Sequence, residues 1–291
     1  MNKHSLFLLS LTALMAILPF RGAAETADAA DNAEGVGFWT SVEGSTKLAK
    51  GLGLSIEAEY RMRDNFNATD RANVGFSLSY KNKNWVPWLK ADAGYTFIYN
   101  NNPAETSVKY EDDGHTPKHQ NVDEAYWGMQ HRATASLSGS WKAGRFKLGL
   151  RERYQYTYRA AASCSRTRLY YNPLFEAFPD DVEKFYLVDD PADPDYSYFT
   201  DSKNPKSDHK LRSRFSASYD IPKCKFEPFA EIELYNELDN HFFLDKIRYT
   251  VGTDYKISKT QKLSAYYRYQ DHSDGDEMGG HVVGVSYAFD F

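Results

Sequence analysis

The sequence predicts an all-β protein, an antiparallel up-and-down transmembrane β-barrel of about 12 strands (10–12), with short periplasmic turns and long extracellular loops. Three observations predict it. From residue 37 onward, apolar and charged residues alternate with a period of two, as in a strand whose two faces meet different surroundings. The alternating segments run about 10–14 residues, longer than the usual strand of about 5–6 and matched to a tilted crossing of a bilayer. The last such segment closes on Phe291. Composition agrees: aromatics make up 15% of the 291 residues, which excludes disorder, and the net charge of -5 leaves no basic field for a nucleic acid.

The N-terminus comes first. Lys3 opens a basic region, Leu6 to Leu18 is an apolar run of 13 residues, Pro19 breaks it, and Gly22-Ala23-Ala24 supplies small residues for cleavage. That is the pattern of a secretory signal peptide over 1–24, too short to span a bilayer. Its removal takes Lys3 and Arg21 and no acid, which moves the charge from -5 to near -7. Residues 25–36 are acidic and small and read as a flexible leader, so the barrel occupies 37–291.

Strands follow in order. After a first strand near 37–48, residues 52–63 put Leu54, Ile56, Ala58, Tyr60 and Met62 on one face and Glu57, Glu59, Arg61 and Arg63 on the other. Residues 70–81 alternate through Val74, Phe76 and Leu78, and 85–99 through Tyr95, Phe97 and Tyr99 opposite Lys90 and Asp92. The segment 126–142 carries His131 and Arg132; 145–159 sets Phe146, Leu148 and Tyr154 against Lys147, Arg151 and Arg153. Residues 210–221 set Leu211 and Phe215 against Arg212 and Arg214, and 225–235 set Phe226 and Ile232 against Glu227, Glu231 and Glu233. Then 246–257 carries Arg248, 262–270 carries Arg268, and 281–291 runs through Val283, Val285, Tyr287 and Phe289. Tyr95, Tyr99, Tyr156, Tyr158, Tyr267, Tyr269 and Tyr287 lie toward strand ends, as an interfacial girdle requires. Such a surface has outer-membrane lipid as its partner. The terminal Phe291 resembles the signal that the outer-membrane insertion machinery of Gram-negative cells reads.

Connections alternate in length. The short ones (49–51, 81–84, 142–144, 222–224 and 258–261) are assigned to the periplasm, and the long ones (64–70, 100–125, 160–209, 236–245 and 271–280) to the outside. The count is eleven strands, and because single-chain bacterial barrels close with even numbers, a twelfth is expected. Cys164 falls in an outer loop and Cys224 in a periplasmic turn, about a bilayer apart, so both are expected as free thiols.

The segments FWTSVEGSTKLAKGLGLSIEAEYRMRDN, DAGYTFIYN, LRSRFSASYD, FEPFAEIELYNEL, IRYTVGTDYKIS and HVVGVSYAFDF resemble a family of outer-membrane proteins common in Bacteroidota and catalogued as domain of unknown function 2490. The resemblance spans residues 36–291 and is carried by Trp39, Glu59-Tyr60-Arg61, Leu211-Arg212 with Arg214, Glu227-Pro228 and Arg248. It implies a barrel in the outer membrane and no activity.

The chemistry is on the polar face. Glu57, Glu59, Arg61, Arg63, Arg132, Arg151, Arg153, Arg212, Arg214, Glu227, Glu231, Glu233, Arg248 and Arg268 form a charge ladder directed into the lumen. Strands of opposite sign neighbour one another, which suggests cross-strand ion pairs. Such pairs either stiffen an occluded barrel with a structural or surface-interaction role, or line a narrow channel for small polar or anionic solutes. Arg151, Arg153, Arg212 and Arg214 are expected together without an interleaved acid, a patch suited to small anionic solutes. No metalloprotease, nucleophile-elbow or zinc-cysteine motif occurs, so no cofactor, metal or catalytic residue is expected. His131, Glu152 and Ser213 break the apolar face on consecutive strands, as a lipid hydrolase could require. Pairing of His131 with Tyr156, however, leaves Glu152 about 13 Å away along the strand. Asp112, Asp113, His115 and His119, and Asp271, His272, Asp274, Asp276 and Glu277, read as solvated loops.

Overall fold

The computed structural model describes residues 35–81, 86–179, 181–272 and 280–291. The signal peptide, most of the leader, and Asp274, Asp276 and Glu277 lie outside the described residues. In chain order the strands are β1 (Gly37–Ala49), β2 (Leu52–Arg63), β3 (Ala68–Tyr80), β4 (Leu89–Asn102), β5 (Glu105–Tyr110), β6 (Pro117–Asp123), β7 (Tyr126–Ala143) and β8 (Phe146–Arg159). They continue as β9 (Ala162–Tyr171), β10 (Phe185–Tyr186), β11 (Tyr198–Lys203), β12 (Lys206–Tyr219), β13 (Phe226–Glu237), β14 (Phe243–Lys256), β15 (Gln261–His272) and β16 (Gly280–Asp290). A 3₁₀ turn, Pro173–Glu176, is capped by the Asn172 side chain.

A closed barrel forms in the order β1-β16-β15-β14-β13-β12-β8-β7-β4-β3-β2. It has eleven strands, the number the alternation counts, not the twelve that parity favours. The resolution is in the closing pair: β1 and β16 run parallel, Gly37 facing Val282 through Ser45 facing Asp290. A parallel pair joins two strands of the same direction, so an odd number closes without a twelfth strand. The start of β1 therefore lies at the long-loop end and the end of β16 at the short-turn end. Every other barrel pairing is antiparallel.

Burial is inverted relative to a water-soluble domain. Ile56, Val74, Phe76, Leu78, Leu137, Leu148, Phe215, Ile232 and Val283 are exposed on the outside, whereas Arg71, Gln155, Thr157, Arg212, Glu233 and Gln270 are buried within. This is the arrangement of a barrel that crosses a bilayer, with lipid taking the place of an apolar core. Aromatic pairs mark both rims of the apolar surface. Tyr99 stacks on Trp127 at the long-loop end, and Trp88 on Trp141 at the turn end. Phe146–Tyr219 and Phe226–Tyr255 extend the lower belt.

The two longest connections, read from sequence as loops, carry strands of their own. β5 and β6 form a hairpin between β4 and β7, and β9 pairs with β6, β10 and β11. The result is a second, five-stranded sheet beyond the barrel's long-loop end. Several barrel strands also reach further into this end than the alternation indicates: β12 begins at Lys206 and β14 at Phe243.

Candidate functional site

The lumen is built from the residues that alternate with the apolar surface. On β8 and β12, Arg153 faces Arg212 and Arg151 faces Arg214. On β12 and β13, Arg214 faces Glu233, which in turn faces Arg248 on β14. The four arginines are brought together as expected, but an acid does enter the patch. Glu233 accepts from Arg151 Nη2 at 2.7 Å, from Arg212 Nη2 at 3.0 Å, from Arg214 Nη2 at 3.3 Å and from Tyr235 Oη at 3.0 Å. Pairing of β12 with β13 accounts for its bonds to Arg212 and Arg214, but the bond to Arg151, two strands away, is one that adjacent-strand reasoning misses. Arg214 also pairs with Glu231 at 3.2 Å, and Arg212 donates to Gln155 at 2.9 Å. The buried Arg153 Nε has no hydrogen-bond partner.

Aromatic rings complete this layer. Trp39 is 2% exposed, with the guanidinium carbons of Arg61, Arg268 and Arg248 at 3.5, 4.8 and 5.2 Å from its ring. Tyr235 lies under Arg212 at 4.4 Å and Arg248 at 4.8 Å, and Arg248 also donates to Tyr235 and to Gln270. A ring face takes a cation without a second carboxylate, so several arginines share few acids. Trp39, Tyr235, Gln155 and Gln270 are the site residues that charge patterning misses. The available signal was aromatic residues in the phase of the charged face.

The remaining ladder residues spread along the wall. Glu59 accepts from Arg61 and from Asn73, each at 2.7 Å. Arg63 donates to the Asn101 carbonyl, Arg132 to Thr157, and Arg268 to Thr250 at 3.0 Å. Glu227 accepts from Ser218 and pairs with Lys256, both at 2.7 Å, near the turn end. Glu57 faces Glu43 across β1 and β2. Toward the turn end small residues such as Ser138, Ser140, Gly149 and Ser216 leave a cavity of about 480 Å³, lined as well by Arg151, Arg214, Arg268, Lys147 and Lys262 and by Glu227, Glu231 and Asp254. The lumen is thus filled in its long-loop half and hollow in its turn half.

The outward polar trio does not assemble. Ser213 donates to Glu152 at 2.6 Å, but His131 faces Tyr158 rather than Tyr156. Tyr158 is six residues along β8 from Glu152, about 20 Å at strand rise. No histidine-serine-acid relay forms.

A family profile described as "Protein of unknown function (DUF2490)" matches residues 36–278. The chain belongs to the DUF2490 family. No curated protein matches this DUF2490 chain. Among solved structures, the β-domain of the Bordetella autotransporter BrkA is similar at 11% identity and a TM-score of 0.44, covering 83% of this chain and 82% of that one. The outer-membrane protease OmpT of Escherichia coli is similar at 11% identity and 0.43, covering 88% of each. An anion-selective porin from Comamonas acidovorans reaches 0.21 at 11% identity, over 84% and 83%.

In the DUF2490 chain's outer sheet, Asp123, Cys164 and Asp201 lie close enough to share an ion. Both carboxylates are already engaged. Arg166 grips Asp123 through two nitrogens and Asp201 at 2.8 Å, and Lys203 contacts both acids. The hydrogen bonds from Arg166, helped by Lys203, hold the Asp123 carboxyl down at about 2, and burial pushes the Cys164 thiol up. The cluster serves as an ionic clasp across β6, β9 and β11.

Proposed function

We propose that this DUF2490 protein is an outer-membrane barrel forming a narrow channel for small anionic solutes, which enter a serine-lined vestibule and meet an arginine layer. The observation that carries this reading is the excess of cations: Arg151, Arg212 and Arg214 share Glu233, Glu231 adds a second acid to Arg214 alone, and Arg153 Nε is buried without a hydrogen-bond partner. A carboxylate or phosphate solute would supply the missing acceptor. The short-turn end is assigned to the periplasm, where the insertion machinery would read the exposed Phe291, with residues 1–24 removed on export. The test is planar-bilayer conductance of the purified barrel under a salt gradient. Anion-selective reversal is expected, and the R151Q/R153Q double variant should move it toward cation selectivity. Wild-type current no greater than background overturns the channel.

The packed half of the lumen favours a second reading, an occluded structural barrel, because Trp39, Ile98, Tyr235 and Val282 are all 3% exposed or less. The same trace separates the two.

A further inference from the structure

One arrangement on the outside of the barrel occurs three times. His131 Nδ1 lies 2.6 Å from Tyr95 Oη, His209 Nδ1 lies 2.6 Å from Tyr154 Oη, and His281 Nδ1 lies 2.5 Å from Tyr267 Oη. The registers are identical. Each histidine directly faces an aromatic residue on the barrel strand that precedes it: Phe97, Tyr156 and Tyr269. The bonded tyrosine is two residues from that partner, toward the turn end. All three histidines sit within six residues of the start of β7, β12 and β16, strands that run down from the long-loop end. They therefore lie at the rim where the lipid-facing surface meets the outer layer.

Neighbouring rings hold each imidazole. Phe97 is 5.7 Å from His131, Tyr156 is 4.9 Å from His209, and Tyr269 is 5.3 Å from His281. When the phenol donates to Nδ1, the ring proton is on Nε2. Among the described residues no hydrogen bond reaches Nε2 of any of the three, and none of these atoms is buried without a partner. In that tautomer each is a held N–H donor open to the surroundings.

We propose that the three tyrosine–histidine pairs bind the phosphates of outer-leaflet lipid headgroups, each Nε2–H donating to a phosphate oxygen while the flanking rings lie against the acyl–headgroup boundary. An anionic headgroup is the charged acceptor that a rim facing lipid meets on every side, and an N–H donor bonds more strongly to it than to a neutral ester. Three copies on separate strand pairs fit a ring of lipids rather than a single ligand.

The experiment uses the full barrel with ¹⁵N-histidine in nanodiscs of a phosphate-free galactolipid, supplemented with phosphatidic acid or with diacylglycerol of the same chains, and in a third arm with inorganic phosphate in the buffer. Phosphatidic acid is expected to shift the Nε2 resonances of His131, His209 and His281 and leave loop His115 in place. No shift, or an equal shift with diacylglycerol, overturns the proposal; an equal shift with inorganic phosphate overturns the assignment to lipid. A second measurement counts phosphorylated lipids retained in native mass spectrometry. The Y95F/Y154F/Y267F variant, which keeps the rings and loses the hydroxyls, should retain at least threefold fewer while its heat-modifiable gel mobility shows an intact barrel. Undiminished retention overturns the proposal.

Discussion

Glu233 is the residue on which the lumen turns. It is 3% exposed and accepts from three arginines and a tyrosine on three strands. Removing one partner of a buried ion pair leaves its charge uncompensated, at a cost of about 3–5 kcal/mol. Glu233→Gln should therefore lower resistance to urea unfolding by that order. Glu231→Gln, which loses one pairing to Arg214 beside the hollow half, should cost less. Gly284 is a second sensitive position, for a steric reason. A Cβ there would meet the Tyr266 ring at 2.1 Å, and one at Gly252 would meet Phe229 at 2.7 Å and the Tyr266 Cβ at 2.7 Å. The far end of the Tyr266 ring reaches over Gly284, and that of the Phe229 ring over Gly252. Gly284→Ala should destabilise the barrel by about 1–3 kcal/mol, measured in the same urea titration, and pairing it with Tyr266→Ala should recover part of the loss.

At the scale of elements, the outer sheet stands apart from the barrel wall and is clasped by charge. Asp123 is held at about 2, below its usual 3.8, by its hydrogen bonds to Arg166 and then by Lys203. A lowered carboxylate value means that the folded form is favoured above the unfolded value. That contribution is complete above about pH 4 and disappears as the pH falls through about 2. Protection against hydrogen exchange in β6, β9 and β11, taken relative to the intrinsic amide rate at each pH, should thus fall at acid pH before protection in the barrel strands does. Asp123→Asn should produce the same loss of protection at pH 7, and a sheet equally protected in that variant would contradict the clasp. Cys164 lies inside this cluster, 5% exposed, with its thiol pushed up by burial. Cys224 sits in the β12–β13 turn and is partly accessible. A maleimide polymer should add one mass increment to the native protein and two after denaturation, and non-reducing gels should show no internal disulfide.

The whole molecule is defined by its parallel seam. Thr40 faces Val285 across it, both on the outward side. A T40C/V285C variant, with Cys164 and Cys224 replaced by serine, should form a disulfide visible as a mobility shift. T40C/F289C, four residues out of register, should not. A barrel closed by a twelfth strand would separate β1 from β16 and give neither. The seam also explains why counting alone left the architecture open. Eleven alternating segments were legible because side-chain alternation is local, whereas the direction of a closing pair depends on which two edges meet.

The site divides the same way. All fourteen ladder residues could be named because each is out of phase with the apolar stripe, and the meeting of Arg151, Arg153, Arg212 and Arg214 followed from adjacent strands. Glu233 reaching Arg151 did not follow, because a side chain crossing a lumen is limited by barrel curvature and not by pairing register. The outer sheet was hidden for a related reason. β5 and β6 are short and polar on both faces, as in PKHQNVD, and β9, ASCSRTRLYY, does not alternate apolar with charged residues, so no stripe marks them as strands. By itself the sequence determined the strand class, the two faces, the rims and the separation of the cysteines, since each depends on the order of neighbouring residues. Only the tertiary structure decided the parallel closure, the single shared carboxylate, the hollow lower lumen and the threefold tyrosine–histidine rim, since each depends on which distant strands come side by side.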